Sequence, residues 1–189
     1  MEWPASISRE DMASLPIVRY EGEVRLVATA EALELERTAI LRERVLGFVT
    51  ETRPAFRKGE RYPPSLVQLA GESVAWIFQL QRFDASAFLK DLLERDGVKT
   101  GVGIDEDLRQ LKAVFPFEAS GVVDIATLAR RRGIEQTGLR NLAGIVLGIR
   151  IPKGKRTSNW AAARLTPQQI GYAAMDAWVA RALYLTLAH

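Results

Sequence analysis

Acidic residues follow two predicted strands, at positions where carboxylates could bind a cation or activate water. Glu51 comes directly after the apolar run 45–50, which is typical of a buried central strand. The carboxyl ends of such strands are where α/β sheets place their sites. The run Asp105-Glu106-Asp107 comes after a second predicted strand, 98–102, and begins a helix. Both features also have structural explanations, since Glu51 could be solvated and the acidic run could complement the helix dipole.

A third acid lies inside a long, largely apolar helix. The segment from Thr166 to about Ala188 has a strong helix start, with Thr166 at the cap followed by proline and then glutamine. Tyr172 and Asp176 are four residues apart, so they share one face of this helix. A buried carboxylate is costly unless it is paired or metal-bound. Asp176 therefore either pairs with a neighbour such as Arg181 or belongs to a site.

Composition narrows the chemistry that these acids could support. The 189 residues include no cysteine, which excludes disulfides, thiolate metal sites and cysteine nucleophiles. The single histidine is His189, the last residue, so imidazole catalysis and histidine-rich metal sites are disfavoured. What remains is carboxylate, hydroxyl, lysine and arginine chemistry, for which hard divalent metals are the natural partners.

The elements that must position these acids begin with strands and continue with alternating helices. We predict strands at 17–20, 24–27, 45–50, 66–70, 74–78, 98–102 and 121–123, with 66–78 forming a hairpin. Helices are predicted at 29–44, 85–95, 105–115, 125–132, 138–147 and 166–188. This order indicates an α/β protein with a mixed sheet. We treat residues 1–189 as a single domain, with residues 1–16 as an N-terminal arm.

Taken in chain order, the acidic segments resemble the 3′–5′ exonuclease domain of the DEDDy class, the ribonuclease D and Werner-type branch of the ribonuclease H-like fold. That family's first motif is a strand ending in Phe-Asp-x-Glu, and Gly47-Phe48-Val49-Thr50-Glu51 occupies its place. The second motif's aspartate falls on Asp107. The third motif, tyrosine then three residues then aspartate, is Tyr172 to Asp176. Supporting matches are Leu66–Ala70, Ser158–Trp160 and Leu165-Thr166.

The resemblance, which runs from about Ile17 to Leu187, implies a mixed central β-sheet flanked by α-helices on both faces. It also implies two Mg²⁺ or Mn²⁺ ions, ~4 Å apart, that clamp the scissile phosphate. Glu51 and Asp176 would ligate the metal that activates water, Asp107 would support the second metal, and Tyr172 would orient the attacking water. The implied partner is single-stranded or 3′-ended nucleic acid, either DNA or RNA, and the implied product is a nucleoside 5′-monophosphate.

Basic residues are concentrated in the second half of the chain. Residues 121–160 contain eight basic side chains and two acidic ones, a balance that suits a polyanionic partner as well as a solvated surface. We predict that five residues contact substrate: Thr52, Arg53, Lys153, Lys155 and Arg156. No signal peptide or membrane-length apolar run is visible, so we expect a cytoplasmic protein with no membrane partner.

Position 49 departs from the family pattern. The aspartate expected there bridges both metals, and this chain has Val49, which offers no oxygen to a hard cation. Two explanations remain open: an exonuclease with one ligand changed, by engineering or natural drift, or a fold member that binds nucleic acid without cutting it. The retained Glu51, Asp107, Tyr172 and Asp176 favour the first. A scaffold with solvated acids is a third reading, and it predicts no nucleic-acid binding.

Overall fold

The computed structural model describes residues 2–152, 154 and 158–189, so the predicted substrate contacts Lys153, Lys155 and Arg156 lie outside the described residues. Within the described part, six strands form one mixed sheet. They are β1 (Glu23–Val27), β2 (Val45–Glu51), β3 (Leu66–Ala70), β4 (Val74–Gln79), β5 (Val98–Gly101) and β6 (Val122–Asp124). Their order across the sheet is β1-β4-β3-β2-β5-β6.

Strand β2 lies in the interior of this sheet, between an antiparallel and a parallel neighbour. It runs antiparallel to β3 and parallel to β5, while β3 and β4 form the antiparallel hairpin that the sequence predicts. The outer strands β1 and β6 pair in parallel with β4 and β5. The β5 pairing covers residues 45–47 of β2, whereas the β3 pairing extends to Glu51 at the carboxyl end of that strand.

Helices cover both faces of the sheet. Over the same residues the chain forms α1 (Arg9–Ser14), α2 (Ala30–Arg42), α3 (Ser86–Glu94), α4 (Ile104–Lys112), α5 (Ile125–Arg131), α6 (Leu139–Leu147) and α7 (Pro167–Leu187). Helices α2, α3 and α4 share a core with Val67 and Leu69 of β3. Leu66 of the same strand points to the opposite face and packs with Ala173 of α7. Helices α5, α6 and α7 form a separate core on that face. The predicted fold class is confirmed.

Strand β2 and helix α7 approach each other unusually closely at Gly47. A Cβ atom built on Gly47 would lie 1.9 Å from the carbonyl oxygen of Ala177 and 3.0 Å from the backbone nitrogen of Arg181. The Arg181 side chain also donates from Nε to the carbonyl of Val45, at 3.1 Å. The absence of a side chain at position 47 is what lets the acid-bearing face of α7 reach β2.

The N-terminal segment differs from its prediction in two places. The predicted arm contains α1, whose cap Ser8 accepts a hydrogen bond from the backbone of Asp11. The predicted strand 17–20 is reduced to one parallel bridge between Ile17 and Arg150. Its apolar alternation resembles a strand, but Ile17 is 56 % exposed and has no neighbouring strand along its length. Among the described helices, none combines the length with the apolar composition that crossing a membrane requires.

Candidate active site

Glu51 and Val49 project from the same face of β2, the face that packs against α7. Side chains alternate along a strand, so both share the side of Gly47, which touches the backbone of α7. Val49 packs against the apolar core that contains Met175 and Val179 of that helix. Glu51 lies at the end of the strand, directly above this contact, and is partly buried.

Two glycines, Gly101 and Gly103, allow β5 and α4 to lie close to β2, which brings Asp107 near the carboxyl end of that strand. A Cβ on Gly101 would lie 2.5 Å from the carbonyl oxygen of Phe48, so only glycine allows β5 to lie this close to β2 here. Gly103 then adopts a φ of +68°, in the left-handed region that favours glycine, and caps α4. Its backbone N–H donates to Oδ1 of Asp124 at 2.7 Å, which fixes the turn.

Only one of the three acids at the start of α4 faces the site. Asp107 accepts hydrogen bonds from the backbone N–H of Thr50, at 3.0 Å, and from the Thr50 hydroxyl. Asp105 is exposed, and Glu106 forms an exposed ion pair with Arg109 at 2.6 Å. The assignment of the second motif to Asp107 thus agrees with the geometry, and Asp105 is not available to replace the missing ligand.

Helix α7 contributes the tyrosine and the most buried acid. Thr166 forms the predicted capping box with Gln169, so the helix begins where the sequence indicates. Asp176 is only 6 % exposed. Tyr172 stacks on Trp160, with ring centroids 5.9 Å apart, and lines a cavity of about 370 Å³. The buried Trp160 therefore holds the tyrosine ring at the edge of an open space.

The acids from β2, α4 and α7 lie within reach of one another's charge. Burial, followed by the charges of Asp176 and Asp107, raises the pKa of Glu51 to about 8. Burial also raises the pKa of Asp176 to about 7, against the opposing effects of hydrogen bonding with Tyr172 and the charge of Arg140. The pKa of Asp107 is raised by burial although Thr50 opposes the shift. Burial and the charges of Asp176 and Glu51 raise the pKa of Tyr172.

These shifts describe negative charges gathered where water solvates them poorly. Such a group is stabilised by protons or by a cation, and carboxylate oxygens are the ligands that Mg²⁺ and Mn²⁺ prefer. The residues therefore fit a hard cation in kind but fall one short in number, because Val49 supplies no oxygen. Within the described residues, no three acidic or histidine side chains are grouped closely enough to hold a metal ion by themselves, Glu51, Asp107 and Asp176 included.

The structure brings together four residues that the sequence predicts (Glu51, Asp107, Tyr172 and Asp176), which we call the acidic site, and it places three further residues beside them. Thr50 donates two hydrogen bonds to Asp107, and its position next to Glu51 in the sequence is a signal that could have indicated a place in the site. The charge of Arg140, on helix α6, opposes the rise in the pKa of Asp176, and no spacing in the sequence predicts this proximity. The third is Gln68, whose buried amide lies in register opposite Val49 and makes no hydrogen bond to any residue that the structure describes.

The predicted substrate contacts on β2's exit loop lie beside the acidic site. Thr52 approaches Gln110 of α4, with 3.4 Å between Oγ1 and Oε1. Arg53 is exposed, and its guanidinium stacks over the ring of Tyr62 at 4.1 Å. Their contact with substrate stays a prediction.

Comparison with known proteins agrees with the motifs and the fold. A family model described as 3′–5′ exonuclease matches residues 24–189. The chain is 34% identical over 152 residues to the mouse "Bifunctional 3'-5' exonuclease/ATP-dependent helicase WRN", covering 76% of this chain and 11% of that protein. It is also 34% identical over 149 residues to the Drosophila melanogaster "Exonuclease 3'-5' domain-containing protein 2", covering 76% and 25%. The chain belongs to the DEDDy-type 3′–5′ exonuclease family.

Solved structures establish the ribonuclease H-like fold. The exonuclease domain of Aedes aegypti Nibbler superposes with a TM-score of 0.80 at 22% identity, covering 90% of both chains. Escherichia coli RNase D superposes with a TM-score of 0.76 at 23% identity, covering 88% of this chain and 44% of that one. The chain spans a quarter or less of the length of the mouse and Drosophila relatives described above.

Proposed function

We propose that this chain is a metal-dependent exonuclease domain that removes nucleoside 5′-monophosphates from nucleic-acid 3′ ends, with activity strongly reduced by Val49. The observation that carries the proposal is the convergence of Glu51, Asp107, Tyr172 and Asp176 from three elements at the carboxyl end of β2. The three acids among them have no packing role that would explain their gathering, since gathered buried acids cost stability.

Each residue of the acidic site has a role in this proposal. Glu51 and Asp176 would hold one Mg²⁺ or Mn²⁺ ion and Asp107 would support a second. When bound, such ions supply Lewis-acid activation of water and neutralise charge on the phosphate. Tyr172, fixed by Trp160, would orient the attacking water with its hydroxyl. Its raised pKa keeps that hydroxyl protonated, so it can donate a hydrogen bond.

Val49 is where this machinery is incomplete. An aspartate at this position would supply oxygen ligands to the bound metal, and Val49 supplies none, so metal binding would be weakened. Each ~1.4 kcal/mol of lost transition-state stabilisation slows a reaction tenfold, and a metal ion contributes several kcal/mol. We therefore expect the chain to be slower than its aspartate form by a factor on the order of 10³ or more.

A non-catalytic nucleic-acid-binding module is the second candidate. The observation that favours it is the packing of Val49 against the apolar core around Met175 and Val179, where the side chain is well accommodated. Both candidates predict binding of single strands that weakens with salt. Only the exonuclease predicts that turnover returns when a carboxylate is restored.

The test is a denaturing-gel time course on 5′-labelled single-stranded DNA and RNA, with Mg²⁺ and with Mn²⁺. The chain and its Val49→Asp variant are compared side by side. We expect Val49→Asp to produce a ladder of 3′-shortened products at a rate on the order of 10³ above the parent.

Two matched variants make the result specific. Val49→Asn is similar in size to aspartate but a poorer ligand, so it should stay near the parent rate. The double variant Val49→Asp with Asp176→Asn should lose the ladder, which excludes a contaminating nuclease. If Val49→Asp binds the strands and does not shorten them, the exonuclease proposal is wrong and the binding module replaces it.

A further inference from the structure

A second cavity, of about 290 Å³, lies beside the acidic site and is lined by three arginines. These are Arg19, Arg140 and Arg150, and the remaining walls are Ile17, Ile151 and Pro152. We refer to this space as the arginine cavity. It shares Arg19 and Pro152 with the larger cavity that Tyr172 lines, so the two spaces adjoin.

Three separate parts of the chain build the arginine cavity. The backbone of Val18 donates to the carbonyl of Arg150 at 3.0 Å, and the backbone of Arg150 donates to the carbonyl of Pro16 at 2.8 Å. In this parallel bridge Arg150 lies beside Ile17. Arg19 is two residues further along an extended segment, which directs it to the same side. Arg140, from the first turn of α6, completes the group.

None of these arginines forms an ion pair with an acidic side chain of the described residues, although the charge of Arg140 reaches Asp176 from beyond ion-pair distance. All acidic residues of the chain fall within the described residues, and none of the ion pairs there involves Arg19, Arg140 or Arg150. Nε of Arg150 is buried and has no hydrogen-bond partner among the described residues. Three like charges around one partly enclosed space, one with an unsatisfied donor, favour an anion there. Guanidinium groups match phosphate oxygens in geometry as well as in charge.

Arg140 connects this cavity to the acidic site. Its positive charge acts on both Asp176 and Tyr172, opposing the rise in their pKa values. The arginine cavity therefore lies within electrostatic reach of the residues proposed to act on the 3′ end. A strand whose terminal nucleotide occupied the acidic site would have its next phosphates close by.

We propose that the arginine cavity binds a backbone phosphate of the single-stranded nucleic acid whose 3′ end enters the acidic site. This inference rests on the proposed function for its ligand, but not on catalysis, because binding can be measured without a metal. It assigns strand contacts to Arg19, Arg140 and Arg150, which lie outside the sequence-predicted set.

The test is fluorescence anisotropy of a labelled single-stranded oligonucleotide with the full chain, in EDTA, at several salt concentrations. We expect Arg140→Ala and Arg19→Ala each to weaken binding about tenfold and to lower the slope of log affinity against log salt by about one. Arg42→Ala is the matched control, because Arg42 is exposed on α2, on the opposite face of the sheet. It should change neither quantity.

Further arms keep the result interpretable. Arg140→Lys should retain the salt slope and lose part of the affinity, because lysine keeps the positive charge but lacks the planar guanidinium that binds phosphate through two donors. Arg19 is exposed, so its variant is the least able to disturb folding. Inorganic phosphate and a nucleoside 5′-monophosphate serve as competitors.

Three outcomes would overturn the inference: unchanged affinity and slope in Arg140→Ala and Arg19→Ala, no strand binding by the parent, or displacement of the strand by millimolar monophosphate as effectively as by a second strand. The last would assign the cavity to a free phosphate group. If Arg140→Ala weakens binding while Val49→Asp fails to cut, the inference stands and the exonuclease proposal falls.

Discussion

Gln68 is a buried polar residue on the strand that pairs with β2 at position 49. In the β2–β3 ladder it lies directly opposite Val49, on the face that packs against α7. It is 0 % exposed, and in the part of the chain that the structure describes neither Oε1 nor Nε2 has a hydrogen-bond partner. Leaving a buried amide unsatisfied costs about 1–3 kcal/mol. An aspartate at position 49 would offer the amide nitrogen an acceptor at cross-strand distance.

We predict that the effect of Gln68→Met on the free energy of unfolding has opposite signs with valine and with aspartate at position 49. In the parent chain, the substitution removes an unsatisfied amide and should raise the free energy of unfolding by about 1 kcal/mol. In the Val49→Asp background it removes a hydrogen bond to a carboxylate and should lower that free energy by about 1.5–3 kcal/mol. Urea unfolding of the four proteins measures both effects.

Gln79 provides the control for that cycle. It lies on the next strand, is similarly buried, and donates to the carbonyl of Ala162 at 3.4 Å, away from position 49. Gln79→Met should therefore have the same effect in both backgrounds. Equal destabilisation by Gln68→Met in both backgrounds would show that Gln68 does not serve position 49.

At the scale of elements, the site depends on how closely α7 lies on β2. Gly47→Ala would push a methyl group into the backbone of Ala177 and Arg181, so the helix must move. Overpacking of this kind costs about 1–3 kcal/mol. We expect a lower melting temperature and, in the Val49→Asp background, lower exonuclease activity because Asp176 shifts away from Glu51.

Gly171 is the matched control for Gly47, since it lies on α7 itself. A Cβ there meets nothing within 4 Å, and the residue is exposed. Gly171→Ala should therefore stabilise the helix, by up to about 1 kcal/mol. A Gly47→Ala variant that melts at or above the parent temperature would contradict the close-approach argument.

Elements with local signals were predictable from the sequence, and those that depend on distant partners were not. The cap at Thr166 predicts the start of helix α7, and the turn residues predict the β3–β4 hairpin. The segment 17–20 has a strand-like pattern, but whether it pairs depends on Arg150, far along the chain. The same distinction holds in the site: Glu51 could be predicted, whereas Arg140 and Gln68 depend on helix placement and strand register.

At the scale of the molecule, the fold holds unlike charges in adjoining spaces. Acids from β2, α4 and α7 meet at the carboxyl end of the central strand, and arginines from the N-terminal segment and α6 line the neighbouring cavity. Each group alone destabilises the folded chain through like-charge repulsion and burial. A strand that brought phosphates to the arginines and cations to the acids would relieve both, so ligand binding should stabilise the fold.

The buried acids also set how the stability of the whole molecule depends on pH. The pKa of Glu51 rises from 4.5 to about 8 on folding, and that of Asp176 from 3.8 to about 7. Between these values the folded chain holds protons that the unfolded chain has released. The free energy of unfolding should therefore fall as pH rises from about 4.5 to about 8, by an amount of the order of a few kcal/mol.

Urea unfolding between pH 5 and pH 8.5 tests this sign, which is opposite to that of a protein stabilised by ionised, paired carboxylates. Glu51→Gln removes one of the two groups and should flatten much of the slope, leaving that of Asp176. Asp105→Asn is the matched control, because Asp105 is exposed on the same first turn of α4 and should leave the slope intact. Stability that stays level or increases across this range in the parent would mean that the acids do not meet in solution.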